Sequence, residues 1–231
     1  MPKIKYLVGI DEAGRGPIAG PVAVGAVAIR LSTDLNLDTQ CPKPGSPFGH
    51  CVSKFCVSKF VSKFGPGLPL RDSKKLTARQ REAWWRWLRS EKKAGRIFHI
   101  SALVGPQLID RYGIVRALRM GVGRCLWRLP PSAIESRILL DGSLYAPSTY
   151  ANQETIIRGD DSRPIVALAS IIAKVRRDRY MCRQALAYPR YGFDQHKGYG
   201  TKIHYRQLAK YGLSPLHRRS FCGSITGPNL L

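Results

Sequence analysis

The sequence predicts a layered α/β domain. Short β-branched apolar runs alternate with longer amphipathic stretches in the order β, β, α, β, α, β, β, α, the pattern of a sheet covered by helices. The first two runs are separated only by a glycine-rich turn, and two later runs end on Asp-Gly or Gly-Asp. At 231 residues, with 44% hydrophobic and 23% charged side chains, the chain can bury one substantial core and is not disordered as a whole.

Residues 4–10 (IKYLVGI) form the first expected strand and 21–29 (PVAVGAVAI) the second, with Gly14, Gly16, Pro17 and Gly20 turning the chain between them. Thr77 suits an N-cap, and the helix behind it carries Trp84, Trp87 and Leu88 on one face before stopping near Gly95. A strand over 96–103 and a helix over 106–126 follow. Residues 137–140 read as a strand ending on Asp141-Gly142, and 155–158 as another ending at Gly159-Asp160. Residues 164–187 form a long helix that begins apolar and finishes basic.

Residues 31–70 interrupt this pattern. They hold five prolines and a Val-Ser-Lys-Phe unit at 52–55, 57–60 and 61–64, with apolar spacing that follows neither a strand nor a helix period. A connection this long reads as a disordered insertion, a duplication in a tolerant surface loop. Deleting residues 43–67 is therefore expected to leave stability and activity largely unchanged.

Charge narrows the function classes. The 38 Lys+Arg against 15 Asp+Glu give a net +23, which calls for a polyanionic partner. Residues 171–231 alone hold 12 basic and 2 acidic side chains, interleaved with Tyr188, Tyr191, Phe193, Tyr199, Tyr205, Tyr211 and Phe221, as in a nucleic-acid groove. No membrane span and no secretory leader is visible, so a cytoplasmic location is expected. Six irregularly spaced cysteines without a CxxC pair read as reduced thiols, and the loose His50, Cys51, Cys56 cluster is a poor zinc site.

In so basic a chain the acidic residues near strand ends are informative. Asp11, Glu12, Asp141 and Asp160 each follow an apolar run, where open α/β sheets place their sites. Converging carboxylates repel one another unless a divalent cation neutralises them, and an Asp/Glu set favours Mg²⁺ or Mn²⁺ over zinc. Two such ions suit in-line phosphoryl displacement. Gly14-Arg15-Gly16 follows the first acidic pair, joining exposed backbone N–H groups to a guanidinium that can fork onto a phosphate.

The string GIDEAGRGPIAGPVAVGAV at 9–27 resembles the opening motif of the ribonuclease HII family, the type 2 ribonucleases H. Asp72-Ser73-Lys74-Lys75-Leu76, Leu140-Asp141-Gly142, Gly159-Asp160 with Pro164, ASIIAKVRRD at 169–178, YPRYGFDQHKGYGTKIH at 188–204 and HRRSF at 217–221 extend the resemblance over 4–30 and 70–223. It implies an RNase H-like mixed five-stranded sheet flanked by helices with a C-terminal helical cap. Residues 1–190 would form the catalytic core, with 31–70 inserted, and 191–231 a helical substrate-binding segment. The implied activity is two-metal cleavage, with Mg²⁺ or Mn²⁺, of the RNA strand of RNA–DNA hybrids and 5′ to single ribonucleotides in duplex DNA. A monomer is expected.

The family's metal-binding carboxylates correspond to Asp11, Glu12, Asp141 and Asp160; Asp160 is chosen over Asp161 by its spacing to Pro164. Gly14, Arg15 and Gly16 correspond to the reader of the ribose 2′-OH, the group that distinguishes RNA from DNA locally. Tyr199 corresponds to the tyrosine packed on the sugar, and Lys74 and Lys75 to backbone-phosphate contacts. The long 31–70 connection departs from the family pattern, as does Leu168, where a small residue is usual. Two rivals remain at this point. A different RNase H-like metal nuclease lacks a use for the Gly-Arg-Gly and Tyr pair, and a non-catalytic basic RNA-binding protein lacks one for the four carboxylates.

Overall fold

The two N-terminal apolar runs pair as an antiparallel hairpin at the centre of a sheet. In the computed structural model, which describes residues 4–31, 57–63 and 65–223, β1 (Tyr6–Ala13) pairs with β2 (Val22–Arg30), and β2 pairs antiparallel with β3 (Ile97–Val104). On its other edge β1 pairs in parallel with β4 (Ser136–Asp141), which pairs in parallel with β5 (Gln153–Ile156). The order β3-β2-β1-β4-β5 makes a mixed five-stranded sheet. The expected fold class is the observed one.

Helices cover both faces, so the central strands are apolar on both sides. Helix α3 (Pro106–Arg128) packs on one face, where Val8, Ile10, Val24, Ala26, Ile138 and Leu140 meet Leu118, Val122 and Leu126. Helices α2 (Ala78–Lys93) and α5 (Pro164–Ala187) cover the other, burying Leu7, Val27 and Leu139 against Trp84, Leu88, Ile165 and Leu168. Leu168 is thus a core side chain. Gly25 lets α5 lie against β2, because a Cβ there would collide with the Ala169 carbonyl and the Ala173 amide.

The element ends carry physical signatures. Thr77 caps α2 in a reciprocal capping box with Gln80, and Pro164 occupies the first turn of α5. Helix α3 is not the continuous helix expected, since Gly113 is non-helical (φ 78°) and kinks it. A short helix α4 (Gly159–Ser162) precedes α5, while α6 (Phe193–His196) and α7 (Lys202–Tyr211) follow it. These last two pack with Ile18, Ala19, Met181 and Leu216 in a separate small core. Among the described residues no helix is long and apolar enough to cross a membrane.

The structure corrects the reading of 31–70 at its C-terminal end. Residues 57–63 form a helix, α1, that buries Val57 and rests Phe60 on Trp87 with ring centroids 6.0 Å apart. Its apolar triad Val57, Phe60, Val61 spans one helical turn, too short for a periodicity test. Residues 32–56, including the first Val-Ser-Lys-Phe unit and the His50, Cys51, Cys56 cluster, lie outside the described residues.

Deletion of 43–67 is accordingly expected to destabilise the protein, not to leave it unchanged. Exposing the Trp84 and Trp87 face and losing Val57 and Phe60 should cost roughly 2–4 kcal/mol, at about 1.5–3 kcal/mol per fully buried large side chain. Denaturant unfolding of the deletion variant checks this, and an unchanged midpoint would show that α1 contributes nothing.

Candidate active site

Strand pairing brings the first two carboxylates together. β1 and β4 run in parallel with Ile10 opposite Leu140, so the next residues, Asp11 and Asp141, emerge side by side. Asp11 lies inside β1, whose pairing with β2 continues to Ala13, and not beyond its end as expected. Alternation places Asp11 and Asp141 on the α5 side, with Leu7 and Leu139. Asp160 is likewise not at a strand end, since β5 stops at Ile156 and Asp160 sits in α4 at the foot of α5. Carboxylate oxygens of Asp11, Asp141 and Asp160 all lie within 4.8 Å of one another.

The cluster is held by its surroundings. The Gly159 amide donates to Asp141 Oδ1 at 2.6 Å, and the Glu12 amide to Asp11 Oδ1 at 2.6 Å. Ser170 on α5 donates to the Asp11 carboxylate, and its hydroxyl lies 2.7 Å from that of Ser73. With Ser170 donating to Asp11, Ser73 donates to Ser170. Both serines lie in the 72–76 and 169–178 motifs, but a hydroxyl pair 97 residues apart has no signature in sequence spacing.

Burial, then the neighbouring Glu12 and Asp141, raises Asp11 well above the ordinary carboxylate range. Burial, Asp141 and Asp72 push Asp160 up to about 6, and burial with Asp141 raises Glu12. Alternation along β1 turns Glu12 away from the triad. Its Oε2 is buried with no hydrogen-bond partner among the described residues, and its Oε1 lies 3.8 Å from the Arg15 guanidinium. Mutually repelling oxygen donors with an orphaned buried carboxylate oxygen beside them are the donor set of a hard divalent cation.

The 3₁₀ turn Ser73–Lys75 brings the Asp-Ser-Lys-Lys motif to the same place. Burial acts to lower the Lys74 ammonium, but Asp72, Asp11, Asp160 and Glu12 outweigh it and hold it above its ordinary value. Lys75 is paired with Asp161 at 2.5 Å, so Asp161 is engaged away from the triad.

The Gly14–Gly16 loop follows directly. Gly14 has φ 88° and lies so close to Arg177 that a Cβ would overlap the guanidinium, so the position requires glycine. Arg15 and Gly16 are exposed, and Arg15 donates to Ser143 Oγ at 2.9 Å. Tyr199 stands beside this loop, because the Gly198 carbonyl accepts from the amides of Ile18 and Ala19. Tyr199 is 41% exposed, and its ring centroid lies 5.6 Å from the Arg177 guanidinium carbon.

The family model for ribonuclease HII matches residues 51–224. The chain belongs to the ribonuclease HII family. It is 36% identical over 224 residues to the ribonuclease HII of Thermosynechococcus vestitus, covering 95% of this chain and 85% of that protein. It is 35% identical over 217 residues to that of Bacillus licheniformis, with coverage of 94% and 69%. Among solved structures, the ribonuclease HII of Archaeoglobus fulgidus, determined in complex with PCNA, superposes with a TM-score of 0.62 at 23% identity, covering 92% of this chain and 93% of that one. A Bst ribonuclease HIII in complex with Mn²⁺ superposes at 0.61 and 17% identity, covering 96% and 68%. At those identities the likeness shows the fold.

Membership makes this protein a ribonuclease H, an endonuclease of RNA–DNA hybrids, in a family that depends on divalent metal ions. It also sets aside the non-catalytic rival.

Buried histidines support the Tyr199 region and yield a pH prediction. Burial lowers His204 and His217 from 6.5 to about 4, with the charges of His196 and His217 adding to the effect on His204 and that of His196 to the effect on His217. Both are neutral when folded and regain ordinary basicity when unfolded. Their stabilisation is therefore complete above pH 6.5 and lost as pH falls toward 4. The raised Asp11 and Asp160 act in the opposite sense, so the test is a difference. Between pH 7 and 4.5 the melting temperature of wild type should fall more than that of His204→Phe. Parallel curves would contradict the assignment.

Proposed function

We propose that this ribonuclease HII hydrolyses the RNA strand of RNA–DNA hybrids and also cuts 5′ to a single ribonucleotide in duplex DNA, by two-metal-ion hydrolysis. The observation that carries this reading is the convergence of Asp11, Asp141 and Asp160 within 4.8 Å, beside a loop whose Arg15 and Gly16 are exposed and beside the exposed Tyr199. Two Mg²⁺ or Mn²⁺ ions, when bound, supply Lewis-acid activation of water and stabilisation of the departing oxygen.

The residues of the chain do the rest. Asp11, Asp141 and Asp160, with Glu12 on the flank, hold the ions. Lys74 carries a charge to the phosphate beside them, and Lys75 adds a second when it exchanges Asp161 for the backbone. The main-chain N–H groups of the Gly14–Gly16 loop and the Arg15 side chain read the ribose 2′-OH. Tyr199 packs on the sugar, and the segment after residue 190 forms the outer wall of the groove. The water oxygen bonds to phosphorus as the P–O3′ bond breaks. The upstream fragment keeps a 3′-OH and the ribonucleotide a 5′-phosphate.

Product analysis tests this. A labelled duplex with one ribonucleotide, incubated with Mg²⁺, should yield an upstream fragment that a polymerase extends without prior phosphatase treatment, and EDTA should stop the reaction. A 2′,3′-cyclic phosphate end, or cleavage that persists in EDTA, would overturn the two-metal reading.

A further inference from the structure

Two consecutive residues near the end of the described chain, His217 and Arg218, reach two separate pieces of the substrate-facing surface. The chain around them lies along the loop that follows Gly16. The Gly20 amide donates to the Leu216 carbonyl at 2.7 Å, the Arg218 amide donates to the Ile18 carbonyl at 2.8 Å, and Ala19 bridges to His217.

Arg218 is fully buried; Asp110 acts on its charge from a distance, without an ion pair among the described residues. Its fork is spent on main-chain carbonyls: Nε donates to Gly20 at 2.9 Å, one terminal nitrogen to Arg15 at 2.8 Å and the other to Gly14 at 2.6 Å. A peptide unit is planar and trans, so drawing the Gly14 and Arg15 carbonyls inward turns the N–H groups of Arg15 and Gly16 outward. Those are the exposed residues of the loop.

His217 Nδ1 accepts the Ser214 amide at 2.9 Å, which puts its proton on Nε2. That nitrogen lies 3.0 Å from His204 Nε2, which must then accept, leaving the proton of His204 on Nδ1 to be donated to the Tyr199 carbonyl at 2.9 Å. One arrangement of protons satisfies this chain, and it ends on the backbone of Tyr199.

We propose that the 214–221 strap is a positioning element for ribonucleotide recognition: Arg218 sets the orientation of the Gly14–Gly16 peptides, and His217, through His204, sets Tyr199. The strap thereby holds the two readers in one register. This rests on the reading of the Gly14–Gly16 loop and Tyr199 as the ribonucleotide contacts. Lysine is not equivalent to arginine at 218, because one ammonium cannot span three carbonyls in the plane of a guanidinium.

The experiment compares wild type, Arg218→Lys and His204→Phe in Mg²⁺ on a duplex with one ribonucleotide. The all-DNA duplex serves as control substrate and as competitive inhibitor, and melting curves give the folded fraction. Each variant should lose about tenfold or more in kcat/KM per folded molecule, as expected when hydrogen-bonded recognition of a hydroxyl is misaligned. The inhibition constant of the all-DNA duplex should stay within twofold.

A purely structural role would lower the melting temperature and leave kcat/KM per folded molecule at the wild-type value, which overturns the proposal. If Arg218→Lys does not fold, His204→Phe, which keeps the ring and its packing on Phe193, decides alone. Wild type that cuts both duplexes equally would instead refute the underlying 2′-OH reading, a result separate from either variant's behaviour.

Discussion

Asp11→Asn is expected to abolish cleavage, lowering turnover by a factor of about 10³ or more, while duplex affinity stays near wild type. Asparagine keeps the size of the side chain and an acceptor for the Glu12 amide and the Ser170 hydroxyl, so the end of β1 has no reason to move. What it removes is the most buried charge of the Asp11, Asp141, Asp160 triad. In the absence of divalent ions that charge repels Glu12 and Asp141 from a buried position, so the variant should melt no lower than wild type. In the proposed reading affinity comes from cationic groups outside the triad, Lys74 and the basic C-terminal region among them. Near wild-type turnover in Mg²⁺ would show that the triad does not carry the chemistry.

Binding should weaken steeply with salt. A groove that contacts about 6–10 phosphates loses roughly 10³–10⁵ in affinity between 50 and 200 mM salt through counterion release. The net charge of +23 supplies the cations, and α2 and α5 place Arg81, Lys174, Arg179 and Arg183 around one open groove with Lys197. Some of these are partly neutralised, as in Arg179 with Glu82 and Lys174 with Asp178. Fluorescence anisotropy of a labelled duplex across that salt range measures the slope. A flat response would assign the charge to some other use.

Much of the architecture is legible in local chemistry. Helix α5 runs from Pro164 to Ala187 as read, because Pro164 opens it and the apolar run behind it has no breaker. The end of β1 is harder, since Asp11 and Glu12 look like the start of a loop, yet pairing with Gly25 and Val24 keeps them in the strand. Helix α1 escapes because one turn of Val57, Phe60 and Val61 carries no period, and what orders it is Trp87, distant in sequence.

The convergence of Asp11 with Asp141 depends on parallel register, and that of Asp160 on the seat of α4. Neither is encoded near the residues themselves. Arg177, Arg218, His204 and His217 are the clearest misses as supports of the site. They are buried polar side chains whose partners are mostly main-chain groups or one another, and such partners leave no mark in composition or spacing. Their one visible signal was position inside the 169–178, 188–204 and 217–221 motifs.

The most direct test compares two duplexes that differ in a single 2′ oxygen. Wild-type enzyme in Mg²⁺ should cleave the duplex with one ribonucleotide at its 5′ side and leave the all-DNA duplex of the same sequence intact, with kcat/KM differing by about 10⁴ or more, as for a site built around one hydroxyl. Equal rates on both duplexes, or cleavage at positions unrelated to the ribonucleotide, would contradict the account.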